Sequence, residues 1–113
     1  MDLVWVLASR CPTAVLDAPF RPRSAVERAK LEGLGARLIE VHCHCPPALA
    51  IQRYNERAPY RHAAHVLTTM TVEYLMQFEG PLRVGSLIEV DTTHPVDRAL
   101  LLRRVRKHLL ADE

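Results

Sequence analysis

The sequence predicts an α/β domain, a mostly parallel sheet flanked by helices. Three observations carry that prediction. Apolar runs at residues 13–18, 37–43 and 86–90 have the length of strands and end in polar or reactive residues. Between them lie segments with apolar residues at helical spacing, opened by helix-starting residues. The two kinds alternate, which is the pattern of parallel strands joined by helical crossovers. At 113 residues the chain makes one domain at most.

Each element has a local reason. Asp2 can cap an apolar segment, residues 3–10, that Pro12 ends; it reads as a helix, with a strand as the alternative. Residues 13–18 read as a fully apolar strand stopped by Asp17 and Pro19. Ser24-Ala25-Val26-Glu27 is a capping box, in which the Ser hydroxyl accepts from the amide three residues on and the Glu reaches back. It starts a helix through Leu34, with Val26, Ala29 and Leu34 as its apolar positions and Gly35 as its stop. A second strand follows at 37–43. Pro46-Pro47 opens a helix to about Arg57, proline being tolerated in a first turn.

Residues 58–66 are too rich in Arg and His for a core. Thr68 or Thr69 begins another helix, which ends before Gly80-Pro81. The third strand, 86–90, is closed by Asp91-Thr92-Thr93. Pro95 starts a last helix with Val96, Leu100, Val105 and Leu109 among its apolar positions. Arg103, Arg104, Arg106 and Lys107 near its end complement the helix dipole.

Composition narrows the class. The chain is 49% hydrophobic and 25% charged, ordinary for a globular protein. A net charge of +2 is too small to argue for nucleic acid or an anionic membrane. Thirteen of the 15 basic residues are Arg, which suits bidentate phosphate recognition, although a GC-rich genome gives the same bias. Residues 3–8 lack the basic flank and cleavage site of a signal peptide, and no apolar run approaches the ~18 residues of a membrane span. Cys11, Cys43 and Cys45 are odd in number and form no C-x-x-C pair, so reduced thiols and a cytoplasmic location are expected.

In parallel sheets ligands sit outside the carboxyl ends of the strands. That rule singles out Asp17, residues 43–45 and Asp91, although polar residues resume at strand ends in any α/β protein. His42-Cys43-His44-Cys45 invites a zinc reading. Alternation along a strand puts the two His on one side and the two Cys on the other, so one face supplies two ligands where a structural site needs four. Cys11, His62 and His65 would have to complete it, and no metal site is expected. His62-x-x-His65 lacks the Glu of H-E-x-x-H and reads as a polar lid loop, with contact of the two histidines to substrate phosphate as a further hypothesis.

Taken in order, several segments carry a resemblance. Ala14-Val15-Leu16-Asp17-Ala18-Pro19-Phe20, then Arg28, then Val41-His42-Cys43 before Pro46-Pro47, then Arg53-x-x-x-Arg57, then Val90-Asp91-Thr92-Thr93, is similar to the C-terminal half of P-loop kinase-like, AAA-type ATP-binding proteins. The relatives are those of the polynucleotide kinase, chloramphenicol phosphotransferase and zeta toxin kind. The resemblance covers nearly the whole chain and implies a partial three-layer P-loop NTPase-like fold over residues 1–113. It also implies roles. Asp17 would face a magnesium ion or the phosphoacceptor. Arg53 and Arg57, four apart on one helix face, would lead into a lid with Arg61 and neutralise the transferring phosphoryl group. Asp91 and Thr92 would flank the adenine of ATP.

Each residue has a simpler competing role. Asp17 can merely end a strand, Arg53 and Arg57 can pair with Glu56 or with solvent, and Asp91 can lead into a helix. Tyr54 and Tyr60 read as packing residues. The departures weigh more. No G-x-x-x-x-G-K-[ST] loop occurs, since Gly33, Gly35, Gly80 and Gly85 are the only glycines and none precedes Lys. By resemblance the missing first strand belongs between the strands ending at Asp17 and Cys43.

Three readings follow. The first is a truncated or mis-started kinase-like protein, inactive alone, whose intact form uses ATP and Mg2+ to phosphorylate a small-molecule or nucleotide hydroxyl. The second is a non-catalytic half-domain that pairs with itself or with a full-length ATPase. The third is a small metal-binding α/β protein. Neither a membrane nor a nucleic-acid partner is expected.

Overall fold

The computed structural model describes residues 2–60 and 70–110. In chain order these form α1 (Asp2–Arg10), α2 (Ala25–Glu32), β1 (Ile39–His44), α3 (Pro47–Glu56), α4 (Val72–Met76), β2 (Ser86–Asp91) and α5 (Arg98–Leu110). A 3-10 turn at Ala58–Tyr60 follows α3. The architecture is α/β: β1 and β2 pair in parallel, and helices flank them. The register runs from Ile39 opposite Ser86 to His44 opposite Asp91. A parallel pair needs a long crossover, here the segment that carries α3 and α4.

The helix starts follow side-chain chemistry. Ser24 accepts from the Glu27 amide at 3.3 Å, as a capping box requires. Glu27, however, reaches back to the Arg21 amide rather than to Ser24, whose own N–H is taken by the Arg21 carbonyl. Pro46 and Pro47 open α3 as expected. Thr71 caps α4 through the Tyr74 amide at 3.2 Å, so the described helix starts later than the expected Thr68 or Thr69, which lie outside the described residues. The last helix likewise starts at Arg98 and not at Pro95. Asp97 accepts the Leu100 amide at 3.0 Å, and this aspartate cap two residues after Pro95 outcompetes proline as the start signal.

The strand expected at residues 13–18 does not form. This segment is irregular and pairs with no strand among the described residues, and Val15 is 93% exposed. A strand is made by its ladder partner, and none lies beside it among the described residues. Leu16 and Phe20 turn instead onto a small cluster built from Trp5, Leu31 and Leu82.

The loop into β2 is held tightly. Glu40 on β1 accepts the amides of both Leu82, at 2.7 Å, and Arg83, at 2.9 Å. Arg28 on α2 donates to the Leu82 carbonyl from the other side. Arg83 sits at φ 60°, a strained conformation for a residue with a Cβ, and the Glu40 contact holds it there. Gly85 passes so close to the Leu38 carbonyl that a Cβ would lie 2.3 Å from its oxygen, so only glycine fits.

The core is small for the length. Among the described residues only Trp5, Leu31, Leu82 and Ile88 are buried apolar side chains. The chain exposes 8672 Å2, where a compact monomer of this mass exposes roughly 6,300 Å2. Its radius of gyration is 15.7 Å, against roughly 13 Å for a compact domain of this length. Helix α1 shows the excess locally: Leu3, Val4, Val6 and Leu7 are exposed around a single buried Trp5.

Glu40→Ala is expected to destabilise the fold by about 1–3 kcal/mol, since it strands two backbone donors beside a strained residue. Glu40→Gln, which keeps one acceptor, should cost less. Hydrogen exchange at the Leu82 and Arg83 amides measures both.

Candidate functional site

The carboxyl ends of β1 and β2 lie side by side, and the chain that leaves them is cross-linked. The Thr92 amide donates to the His44 carbonyl at 2.8 Å and the Thr92 hydroxyl donates to the same oxygen at 3.0 Å. Arg53 on α3 donates to the Thr92 carbonyl at 2.7 Å and to the Thr93 carbonyl at 3.0 Å. Helix α3 is thereby bolted to the end of β2. The guanidinium fork fits two successive carbonyls as well as it fits two phosphate oxygens.

Asp91 ends β2 and accepts the Thr93 amide at 2.9 Å. Its carboxyl is held below the usual carboxylate range, first by the Thr93 hydroxyl and then by the Thr93 amide; desolvation opposes them, and His44 and His94 nearby help least. This is the turn-forming role of an aspartate at a strand end.

Of the residues singled out from sequence, the structure thus brings together Arg53, Asp91 and Thr92. Arg57 follows α3 as its C-cap residue, with an exposed side chain. Asp17 is exposed in the irregular segment between α1 and α2, and no hydrogen bond or ion pair among the described residues joins it to this cluster. Arg61, His62 and His65 lie outside the described residues. Tyr54 is partly buried on α3, whereas Tyr60 is 88% exposed and does not pack as expected.

Beside this cluster is a cavity of about 400 Å3 between the end of β1 and α4. His42 to Cys45, the first turn of α3, Leu75 and Met76 of α4, and the loop that follows line it. The His42 and His44 rings stack at 5.7 Å between centroids, on one side of the strand as alternation placed them. Among the described residues no three His, Cys, Asp or Glu side chains converge as a metal site would need. No helix among them is long and apolar enough to cross a membrane.

Sequence reasoning missed the cavity's acidic members, Glu79 and Glu89. Glu89 stands opposite His42 in the ladder, a placement that only the register reveals. It also missed how the arginines are used. Arg23, Arg28, Arg37, Arg53 and Arg104 each donate to a backbone carbonyl of another segment. These guanidiniums serve as internal braces.

Arg53→Lys is expected to destabilise the fold by about 1–3 kcal/mol, because one ammonium cannot span two carbonyls in a fixed fork; urea unfolding reads this out. Asp91→Ala should destabilise at neutral pH. A carboxyl whose folded pKa is depressed contributes stability present above its unfolded pKa and lost as pH falls through the folded one. The gap between wild type and Asp91→Ala should therefore narrow in acid.

Comparison with family models, with curated proteins and with solved structures finds no match to this chain, so the chemistry of the site rests on its own geometry.

Proposed function

We propose that this chain is the C-terminal portion of a P-loop kinase-like domain. Its complete form would transfer a phosphoryl group from ATP to a small-molecule or nucleotide hydroxyl, and the chain alone would not catalyse. One observation carries the proposal: β1 and β2 form a parallel pair with no further strand on either side among the described residues, in a chain with far more surface than its length warrants. Parallel strands occur almost always inside larger sheets covered on both faces. The segment at residues 13–18, which contains Asp17, is the length of one more strand and has no ladder partner among the described residues.

The residues present do not assemble a site for magnesium and ATP by themselves. Arg53 is turned toward two carbonyls, Asp17 stands apart, and no phosphate loop occurs in the sequence. What this chain would supply to a complete site is positive charge from Arg53, Arg57 and Arg61 along the crossover after β1, where electrostatic stabilisation of a phosphoryl group is needed. His62 and His65 would face the acceptor, and Asp91 and Thr92 the base.

A second reading has its own support. The open strand edges and the exposed apolar sides of α1 suit a half-domain that binds another copy or a full-length ATPase without catalysing anything.

The intact mass of the polypeptide from its source cells, paired with a titration of Mg·ATP, tests both. A species larger by ~60–80 residues, a domain of the usual size, that binds ATP is expected. A species of 12.8 kDa that binds no ATP overturns the phosphoryl-transfer reading; if it also elutes as a stable assembly, the second reading holds. In the complete form, Arg57→Ala should lower kcat by roughly 10²-fold at saturating ATP, the scale of removing one transition-state donor; an unchanged kcat removes Arg57 from the lid.

A further inference from the structure

We infer that the cavity between β1 and α4 binds a small organic cation, an ammonium carried on an apolar body. This requires neither nucleotide nor any additional segment and stands apart from the phosphoryl-transfer reading. The cavity's volume, about 400 Å3, falls in the range of small-molecule sites. Its walls are largely apolar, formed by Leu75, Met76, Phe78 and Pro81 with Pro47 and Ala50 opposite. Phe78 is fixed by an edge-on contact with Tyr74, ring centroids 5.4 Å apart, and so offers a stationary aromatic surface beside a bound cation.

The charged groups choose the ligand's sign. Glu79 and Glu89 line the cavity, and no arginine or lysine among the described residues does, in a chain with 13 arginines. A phosphate or carboxylate placed here would meet like charge and few donors. An ammonium meets two carboxylates, which accept only.

His42 supplies the second, independent observation. The ladder sets it opposite Glu89, yet its Nδ1 lies 3.9 Å from the Glu89 carboxylate, beyond hydrogen-bond reach. That nitrogen is itself buried, on a side chain that is 19% exposed, and has no hydrogen-bond partner among the described residues. Buried polar atoms are seldom left so, and a ligand N–H is one group that would satisfy this one. A metal ion is a poor candidate, since no three metal-ligating side chains among the described residues converge. A donor N–H entering between the apolar wall and the Glu89 rim matches both the imidazole nitrogen and the carboxylate.

The test uses the full chain, with three probes of similar size: phenethylamine, 2-phenylethanol and 3-phenylpropionate. Each is titrated at low salt and followed by NMR shifts of Leu75, Met76 and Phe78. Saturable binding of phenethylamine is expected, at least tenfold tighter than that of either other probe. Glu89→Gln and Glu79→Gln should each weaken it several-fold while the spectrum of β1 and β2 is kept. Glu79 lies on an exposed loop, so its variant keeps the test decisive should Glu89→Gln loosen the sheet. The inference is overturned if phenethylamine does not saturate, if the alcohol or the carboxylate binds as tightly, or if Glu79→Gln leaves the affinity unchanged.

Discussion

The tethers that join the N-terminal helices to the sheet meet in the loop at Leu82. Glu40 grips it from β1 through two amides and Arg28 grips it from α2 through a carbonyl, while the Leu82 side chain fills the cluster around Trp5 and Leu31. The loop therefore ties the N-terminal helices to the sheet and delivers β2 in register with β1. A charged side chain bonded to backbone makes a stronger tether than a neutral pair, and this chain uses that device repeatedly. With few buried apolar residues to hold distant segments together, arginines and one glutamate take over much of that work.

The same arrangement explains why the sheet ends where it does. The ladder between β1 and β2 is complete along its length, and Ile88 at its centre is fully buried. Among the described residues no further strand borders the pair, and apolar surface stays exposed, on α1 above all. A parallel pair of this kind is ordinarily the inside of something larger. The polar chemistry gathers at its carboxyl end, where Arg53 and Thr92 brace the strand ends and the cavity opens beside His42.

What could be read from the sequence was set by distance along the chain. The Ser24 cap, the Pro46-Pro47 helix start and the strands β1 and β2 depend on neighbouring residues, and all appear within a residue or two of where spacing put them. The strand expected at 13–18 has the right composition, but composition does not provide a ladder partner, and the segment stays unpaired. The start of α5 shows two local signals in competition, with Asp97 prevailing over Pro95. The site was legible only in part. Arg53 was singled out as a phosphate ligand, yet its partners here are carbonyls about 40 positions away in sequence, 39 and 40 residues on. The pairing of His42 with Glu89 needs a register that no single strand encodes.

The proposal that the parallel pair is an unfinished sheet is tested most directly by urea unfolding of the isolated chain at several protein concentrations. A finished domain of this size unfolds cooperatively with a slope of ~1–1.5 kcal/mol per molar urea, independent of concentration. The account predicts a shallower transition at low urea, or one whose midpoint rises with concentration because copies cover each other's open edges. A steep transition with a midpoint that does not move with concentration would contradict it, and would mean that two strands and a small core suffice.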